Sequence, residues 1–125
     1  MIKVITYGTF DTFHYGHFLL LERAKSLGDH LSVCISTDEF NKQKGKKAKL
    51  KFTERVRIIK SLNFVDDIYR EECWEQKILD IKNLQINIFA IGDDWKGKFD
   101  FLKNYCEVIY LPRTVNVSST LIRGY

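Results

Sequence analysis

Short runs rich in β-branched residues alternate with helix-spaced amphipathic patterns along nearly the whole chain. Strands separated by helices pair in parallel, because each crossover helix must lie on a face of the sheet. The predicted fold class is therefore α/β, a single doubly wound parallel sheet of about five strands with helices on both faces. One domain over residues 1–125 suits this length, which is enough for a real core.

The strand-like runs are Ile2 to Tyr7, Leu31 to Thr37, Phe64 to Tyr69, Ile86 to Ile91 and Cys106 to Leu111. The first helix is expected from Gly16, with Leu20, Ala24 and Leu27 on its inner stripe and Gly28 ending it in the left-handed conformation. Asp38 to Gln43 reads as a short helical turn. Glu54 to Leu62 reads as a helix capped by Thr53, with Val56, Ile59 and Leu62 inward. Trp74, Ile78 and Ile81 share the inner stripe of another helix, and Phe99 to Asn104 is a short one. Pro112 stops the last strand, and Ser118 caps a terminal helix.

Composition excludes several classes. A hydrophobic share of 45% with 14% aromatic residues is globular, not disordered. No apolar run reaches membrane-spanning length, and the N-terminus shows no signal-peptide pattern. Cys34, Cys73 and Cys106 have no paired metal spacing and read as reduced cysteines of a cytoplasmic protein. A net charge of +4 suits an anionic ligand without implying nucleic acid. No resident metal site and no membrane partner are expected.

Function concentrates between the first strand and the first helix, in Tyr7-Gly8-Thr9-Phe10-Asp11-Thr12-Phe13-His14-Tyr15-Gly16-His17. Gly8 allows a sharp turn and close approach of a ligand. A helix starting near Gly16 presents unpaired amides and the positive end of its dipole, which suits phosphate. His14 and His17 lie three apart, so both imidazoles can face one ligand there. The stretch reads as a polyphosphate cradle; surface or packed histidines, or a metal pair, are the other readings. Lys44 to Lys51 holds five lysines in eight residues and reads as a mobile loop. Such a cluster is either a substrate-closing flap, a solvated face or a nucleic-acid patch. His30 lies outside every motif.

Taken together, these residues resemble the His-x-Gly-His nucleotidyltransferase superfamily, and within it the bacterial glycerol-3-phosphate cytidylyltransferases. The likeness runs through Tyr-Gly-Thr-Phe-Asp at 7–11, His-Tyr-Gly-His at 14–17 and Leu-Glu-Arg-Ala-Lys at 21–25. It continues through Ser-Thr-Asp-Glu-Phe-Asn at 36–41, Trp-Glu-Gln-Lys at 74–77 and Gly-Asp-Asp-Trp at 92–95. It ends with Gly-Lys-Phe-Asp-Phe-Leu-Lys at 97–103, Leu-Pro-Arg-Thr at 111–114 and Val-Ser-Ser-Thr-Leu-Ile-Arg at 117–123. The chain departs from the family at Asn63, where arginine is usual, and at Asn116-Val117, where glycine usually precedes the serines.

The resemblance implies that a phosphate oxygen of a small acceptor attacks the α-phosphorus of CTP and pyrophosphate leaves. It makes His14, His17, Lys44, Lys46 and Arg113 the catalytic set. Nucleotide contacts fall to Thr9, Phe10, His14, Tyr15, Gly16, His17, Lys46, Arg55, Asp94, Arg113, Thr114, Ser118, Ser119 and Thr120, and Arg123 touches phosphate in some members. Lys44 and Lys77 hold the acceptor's phosphate. Beside these stand plainer readings: Phe10 and Trp95 as packing, Arg55 as an outward arginine, Lys77 as an exposed helical lysine and Ser118 as a simple cap. Mg²⁺ is implied on the CTP phosphates. The first acceptor is glycerol 3-phosphate, with phosphoethanolamine, phosphocholine or phosphoglutamine as alternatives opened by Asn63. The product would feed wall or capsule polymers, and a homodimer is implied. A non-catalytic nucleotide-binding module is the remote alternative.

Overall fold

The computed structural model describes residues 1–112. The chain runs β1 (Lys3–Gly8), α1 (Tyr15–Ser26), β2 (His30–Ser36), α2 (Asp38–Gln43), α3 (Phe52–Lys60), β3 (Asp67–Glu71), α4 (Gln76–Asn83), β4 (Ile88–Gly92) and β5 (Glu107–Leu111). Two 3-10 turns, Asp93–Trp95 and Asp100–Asn104, fill the path from β4 to β5. All ladders are parallel, and the five strands lie in the order β3-β2-β1-β4-β5. This is the doubly wound sheet that the alternation demands.

Period-two side-chain alternation splits the core cleanly. Val4, Leu31, Val33, Ile35, Ile88 and Ala90 face α1 and α3, which supply Leu21, Ala24 and Ile59. Ile5, Tyr7, Cys34, Phe89 and Ile91 face the other side, covered by Ile81 of α4 and by Phe99 and Leu102. After β3 the chain crosses back to pair β4 with the free side of β1. The strand order therefore reverses beside β1, and open α/β sheets bind ligands in the crevice beyond the strands' carboxyl ends at such a point.

Several expectations move. The third strand is Asp67–Glu71 rather than Phe64 to Tyr69. Before it, the Asp66 N–H still donates to the Leu31 carbonyl at 2.9 Å, but the Leu31 N–H goes to the Asp66 carboxylate at 2.8 Å, which also accepts the Lys25 ammonium at 2.7 Å, so a side chain stands in for one backbone acceptor there. Helix α3 starts at Phe52, with Lys51 at the N-cap position and no side-chain cap bond from it. Its first turn is served from a distance: the Asp38 carboxylate accepts the Phe52 N–H at 3.0 Å, so Thr53 is not the cap. Trp74 precedes α4 and is 46% exposed, while Lys77 and Ile81 are the buried residues of that helix. In α1, Leu21 joins Ala24 at the centre of the buried face, with Leu20 and Leu27 at its margin.

Gly28 does not adopt the left-handed conformation; it is required for room. A Cβ there would lie 2.7 Å from the Ile2 carbonyl oxygen and 2.9 Å from Val4 Cγ2. The α1–β2 connection passes against β1 at that point, and Asp29 and His30 N–H both donate to the Ile2 carbonyl.

Candidate active site

The turn from β1 into α1 is strained at two non-glycine positions, Phe10 with φ 53° and Thr12 with φ 44°. They, rather than Gly8, carry the sharp bend. His14 is the N-cap of α1. Its Nδ1 accepts the Gly16 N–H at 3.0 Å, and the His14 N–H donates to His17 Nδ1 at 3.2 Å. Gly16 makes this possible, since a Cβ would lie 2.8 Å from the His14 ring. One amide expected to await phosphate is thus already bonded to His14.

Those bonds set the chemistry of both imidazoles. A nitrogen that accepts a backbone N–H carries no proton, so the neutral ring bears its proton on Nε2, which is left as a donor. Burial first, and His14 second, lower the His17 pKa to about 4, with Asp11 opposing. His17 is therefore a neutral donor at physiological pH. The two rings stack with centroids 4.0 Å apart.

Between the strained residues, Asp11 reaches across to the lysine segment. Its carboxylate accepts the N–H groups of Lys49 at 2.8 Å and Leu50 at 3.0 Å. Arg55, fully buried on α3, ties the same region from behind. It donates to the carbonyls of Ser36 at 2.7 Å, Thr9 at 2.9 Å and Leu50 at 3.1 Å, and to Asp38 Oδ1 at 2.8 Å. Three loops at the carboxyl ends of the sheet are thereby fastened to one guanidinium.

A cleft of about 310 Å³ opens in front of this frame. One wall is the β1 end and helix tip, with Gly8, Thr9, Phe10 and His17. The opposite wall is the β4 end, with Gly92, Asp94 and Trp95. Lys44, Lys77, Glu71 and Trp74 line its floor and flank. Lys77 is 2% exposed and pairs with Glu71 Oε2 at 2.7 Å. The Ser36 hydroxyl donates to Glu71 Oε1 at 2.8 Å and accepts from Lys44 Nζ at 2.9 Å. Burial lowers the Lys44 pKa to about 8, against the raising effect of Glu71. Aromatic faces complete the wall: Trp74 lies edge-on to Phe40 and 6.3 Å from Trp95 between centroids.

Imidazole donors at the helix tip and two lysines elsewhere on the cleft are chemistry suited to anions. A cytidylyltransferase-like family model matches residues 5–124 of the sequence. The chain belongs to that family. Cytidylyl transfer brings two anionic reactants together, which suits a cleft that offers donors on more than one side. The sequence is 61% identical over 123 residues to the glycerol-3-phosphate cytidylyltransferase of Bacillus spizizenii, spanning 98% of this chain and 95% of that protein. It is 48% identical to the enzyme of the same name from Staphylococcus aureus, over 98% and 93% of the two chains. In architecture it resembles the lipopolysaccharide core biosynthesis protein of Thermoplasma volcanium, with a TM-score of 0.81 at 23% identity, over 91% of this chain and 98% of that one.

Of the residues expected in a cytidylyltransferase site, Thr9, Phe10, His17, Lys44, Lys46, Lys77 and Asp94 line the cleft. His14 is exposed at the helix tip, stacked on His17. Tyr15 turns its ring onto Phe18 and is 47% exposed. Arg55 neither faces outward nor lines the cleft; carbonyls and Asp38 occupy its donors. Lys77 is buried and paired, not an exposed helical lysine. Arg113, Thr114, Ser118, Ser119, Thr120 and Arg123 lie outside the described residues. Asn63 is exposed in the turn between α3 and β3, toward the amino end of β3, whereas Glu71 at that strand's carboxyl end lines the cleft. Ser36, Glu71 and Trp74 are functional candidates that sequence reading missed. Only the parallel register that sets Ser36 beside Glu71 brings the first two together.

Proposed function

We propose that this chain transfers CMP from CTP to glycerol 3-phosphate, releasing pyrophosphate and a CDP-linked alcohol for wall or capsule polymers. The observation that carries the reading is that His17, with Nε2 left as a donor, lines one cleft together with Lys44 and Lys77, while His14 stacks on it at the helix tip. The family match and the two relatives named glycerol-3-phosphate cytidylyltransferase support it.

In this reading an acceptor phosphate oxygen forms a bond to the α-phosphorus while the bond to the bridging oxygen breaks, and pyrophosphate leaves with that electron pair. No protein nucleophile takes part, so catalysis is alignment and charge stabilisation. His14 and His17 donate from Nε2 to the triphosphate, where charge grows. Lys46 and the backbone of Thr9 and Phe10 hold the nucleotide, and Asp94 and Trp95 border the base. Lys44 and Lys77 hold the acceptor's phosphate. Arg113, Thr114, Ser118, Ser119 and Thr120 are proposed for the β- and γ-phosphates. Arg55 acts from behind, by fixing the loops.

Among the described residues no group of three or more His, Cys, Asp or Glu could hold a metal. The Asp11 and Glu71 carboxylates are engaged by protein donors. That donor set fits Mg²⁺ carried by the nucleotide's own phosphates, where it would neutralise triphosphate charge. The proposal includes a single catalytic domain over residues 1–125, cytoplasmic and homodimeric, acting without nucleic acid or membrane. The aromatic cluster of Tyr15, Phe18 and Phe64 supports a self-association surface.

The position of Asn63 away from the cleft favours glycerol 3-phosphate over the other acceptors. The test is pyrophosphate release from CTP with glycerol 3-phosphate, phosphoethanolamine, phosphocholine and phosphoglutamine in parallel. Glycerol 3-phosphate is expected to give the highest kcat/KM by at least tenfold. A different winner overturns the acceptor. Nucleotide binding without release for any acceptor makes the chain a binding module.

A further inference from the structure

We infer that Glu71 is a positioning residue for the phosphorylated acceptor, holding the ammonium groups of Lys44 and Lys77 directed at one place in the cleft. The inference rests on the transferase reading of that cleft. A carboxylate on the wall of an anion site repels the ligand, so its presence calls for a compensating role. Glu71 is 3% exposed and lines the cleft at the last position of β3.

Both of its oxygens are committed. Oε2 accepts from Lys77 Nζ at 2.7 Å, and Oε1 accepts from the Ser36 hydroxyl at 2.8 Å. Ser36 in turn accepts from Lys44 Nζ at 2.9 Å. The two lysines are thus joined through one carboxylate and one hydroxyl, and the cluster keeps a surplus positive charge for the ligand. Tyr7, Trp74 and Phe99 rings stand 4.7, 5.1 and 5.3 Å from Lys77 Nζ, leaving the ammonium little lateral freedom.

A buried ammonium without a counter-charge loses its proton readily. The charged groups acting on Lys44 are Glu71 on β3, Lys46 on its own segment, Lys77 on α4 and Arg55 on α3, and Glu71 is the one anion among them. Removing its charge takes away what opposes proton loss from Lys44. The lysine then becomes neutral at lower pH, and acceptor binding fails earlier as pH rises.

The experiment is steady-state kinetics of Glu71→Gln and Glu71→Asp with CTP and glycerol 3-phosphate from pH 6.5 to 9.5. Glu71→Gln is expected to raise the acceptor KM at least tenfold while the CTP KM stays within about twofold. The alkaline rise in acceptor KM should begin about one pH unit lower. Glu71→Asp keeps the charge and should restore the position of that alkaline limb. Tighter acceptor binding by Glu71→Gln would make Glu71 a competitor for Lys77 and overturn the inference. So would an equal loss for both substrates, or an unmoved alkaline limb. If Glu71→Gln does not fold, the Glu71→Asp profile decides alone: an alkaline limb shifted to lower pH despite the retained charge overturns the inference. Failure of the underlying reading looks different, because the unaltered protein would then not use glycerol 3-phosphate at all.

Discussion

The backbone N–H of His14 donates to His17 Nδ1 at 3.2 Å while the two imidazoles stack at 4.0 Å. One contact both closes the helix N-terminus and aims a proton-bearing nitrogen at the cleft. His17→Ala should therefore lower kcat about 10²–10³-fold, the usual loss for one transition-state donor. It should cost only about 1 kcal/mol of stability, the usual loss for a cap. Pyrophosphate release and urea denaturation on the same sample separate the two effects. Near-normal turnover would remove the role assigned to His17.

The acid limb of stability should carry a His17 signature. In the folded chain burial and His14 lower its pKa from 6.5 to about 4. Between those values the unfolded chain binds a proton that the folded one refuses, so stability falls as pH drops from 6.5 toward 4. For Asp11 and Asp38 burial acts upward, but backbone N–H bonds, and Arg55, outweigh it and hold both carboxyls low. Their contribution is present above the unfolded value of 3.8 and is lost below it. Urea midpoints from pH 7 to 4.5 should decline, and the decline should flatten in His17→Ala. An identical slope in both proteins would exclude this origin.

Arg55→Lys should unfold more easily than its conservative look suggests. A lysine cannot reach the carbonyls of Thr9, Ser36 and Leu50 together. Each buried acceptor left unpaired costs about 1–3 kcal/mol, so a total of about 3 kcal/mol or more is expected. The CTP KM should rise as the frame loosens. A change below about 1 kcal/mol in urea titration would contradict a fastening role.

Gly28→Ala should destabilise although the site is remote from the cleft. The added carbon would sit 2.7 Å from a backbone oxygen, which cannot swing aside as a flexible side chain can. Overpacking of this kind costs about 1–3 kcal/mol. A drop in urea midpoint with unchanged kcat is the expected pattern, and unaltered stability would show that β1 and its connection part freely.

Period and composition made the sheet legible. Ile86 to Ile91 and Leu31 to Thr37 are apolar enough to declare themselves buried on both faces. The edge strand β3 is polar on most of its length, so its pattern misleads, and Asp66 displaces its start through bonds made far along the chain. The same physics hid the start of α3, because its cap comes from Asp38 rather than from a neighbour. In the site, His14, His17 and the lysines were visible because their types and spacing are local. Glu71, Ser36 and the buried role of Arg55 were not, since each is defined by partners many residues away.

The lysine segment was expected to swing as a loop, yet it is pegged twice. Lys46 N–H holds the Asn41 carbonyl at 2.9 Å, and Lys49 and Leu50 hang on Asp11. Only Lys47 and Ala48 lie between the pegs, so the two pegged amides can stand at most about 10 Å apart at full extension. While both pegs hold, travel of the Lys46 charge toward a nucleotide is that of its own side chain. Relatives that lengthen this stretch would have to place their extra residues at 47–48, or surrender one of the pegs.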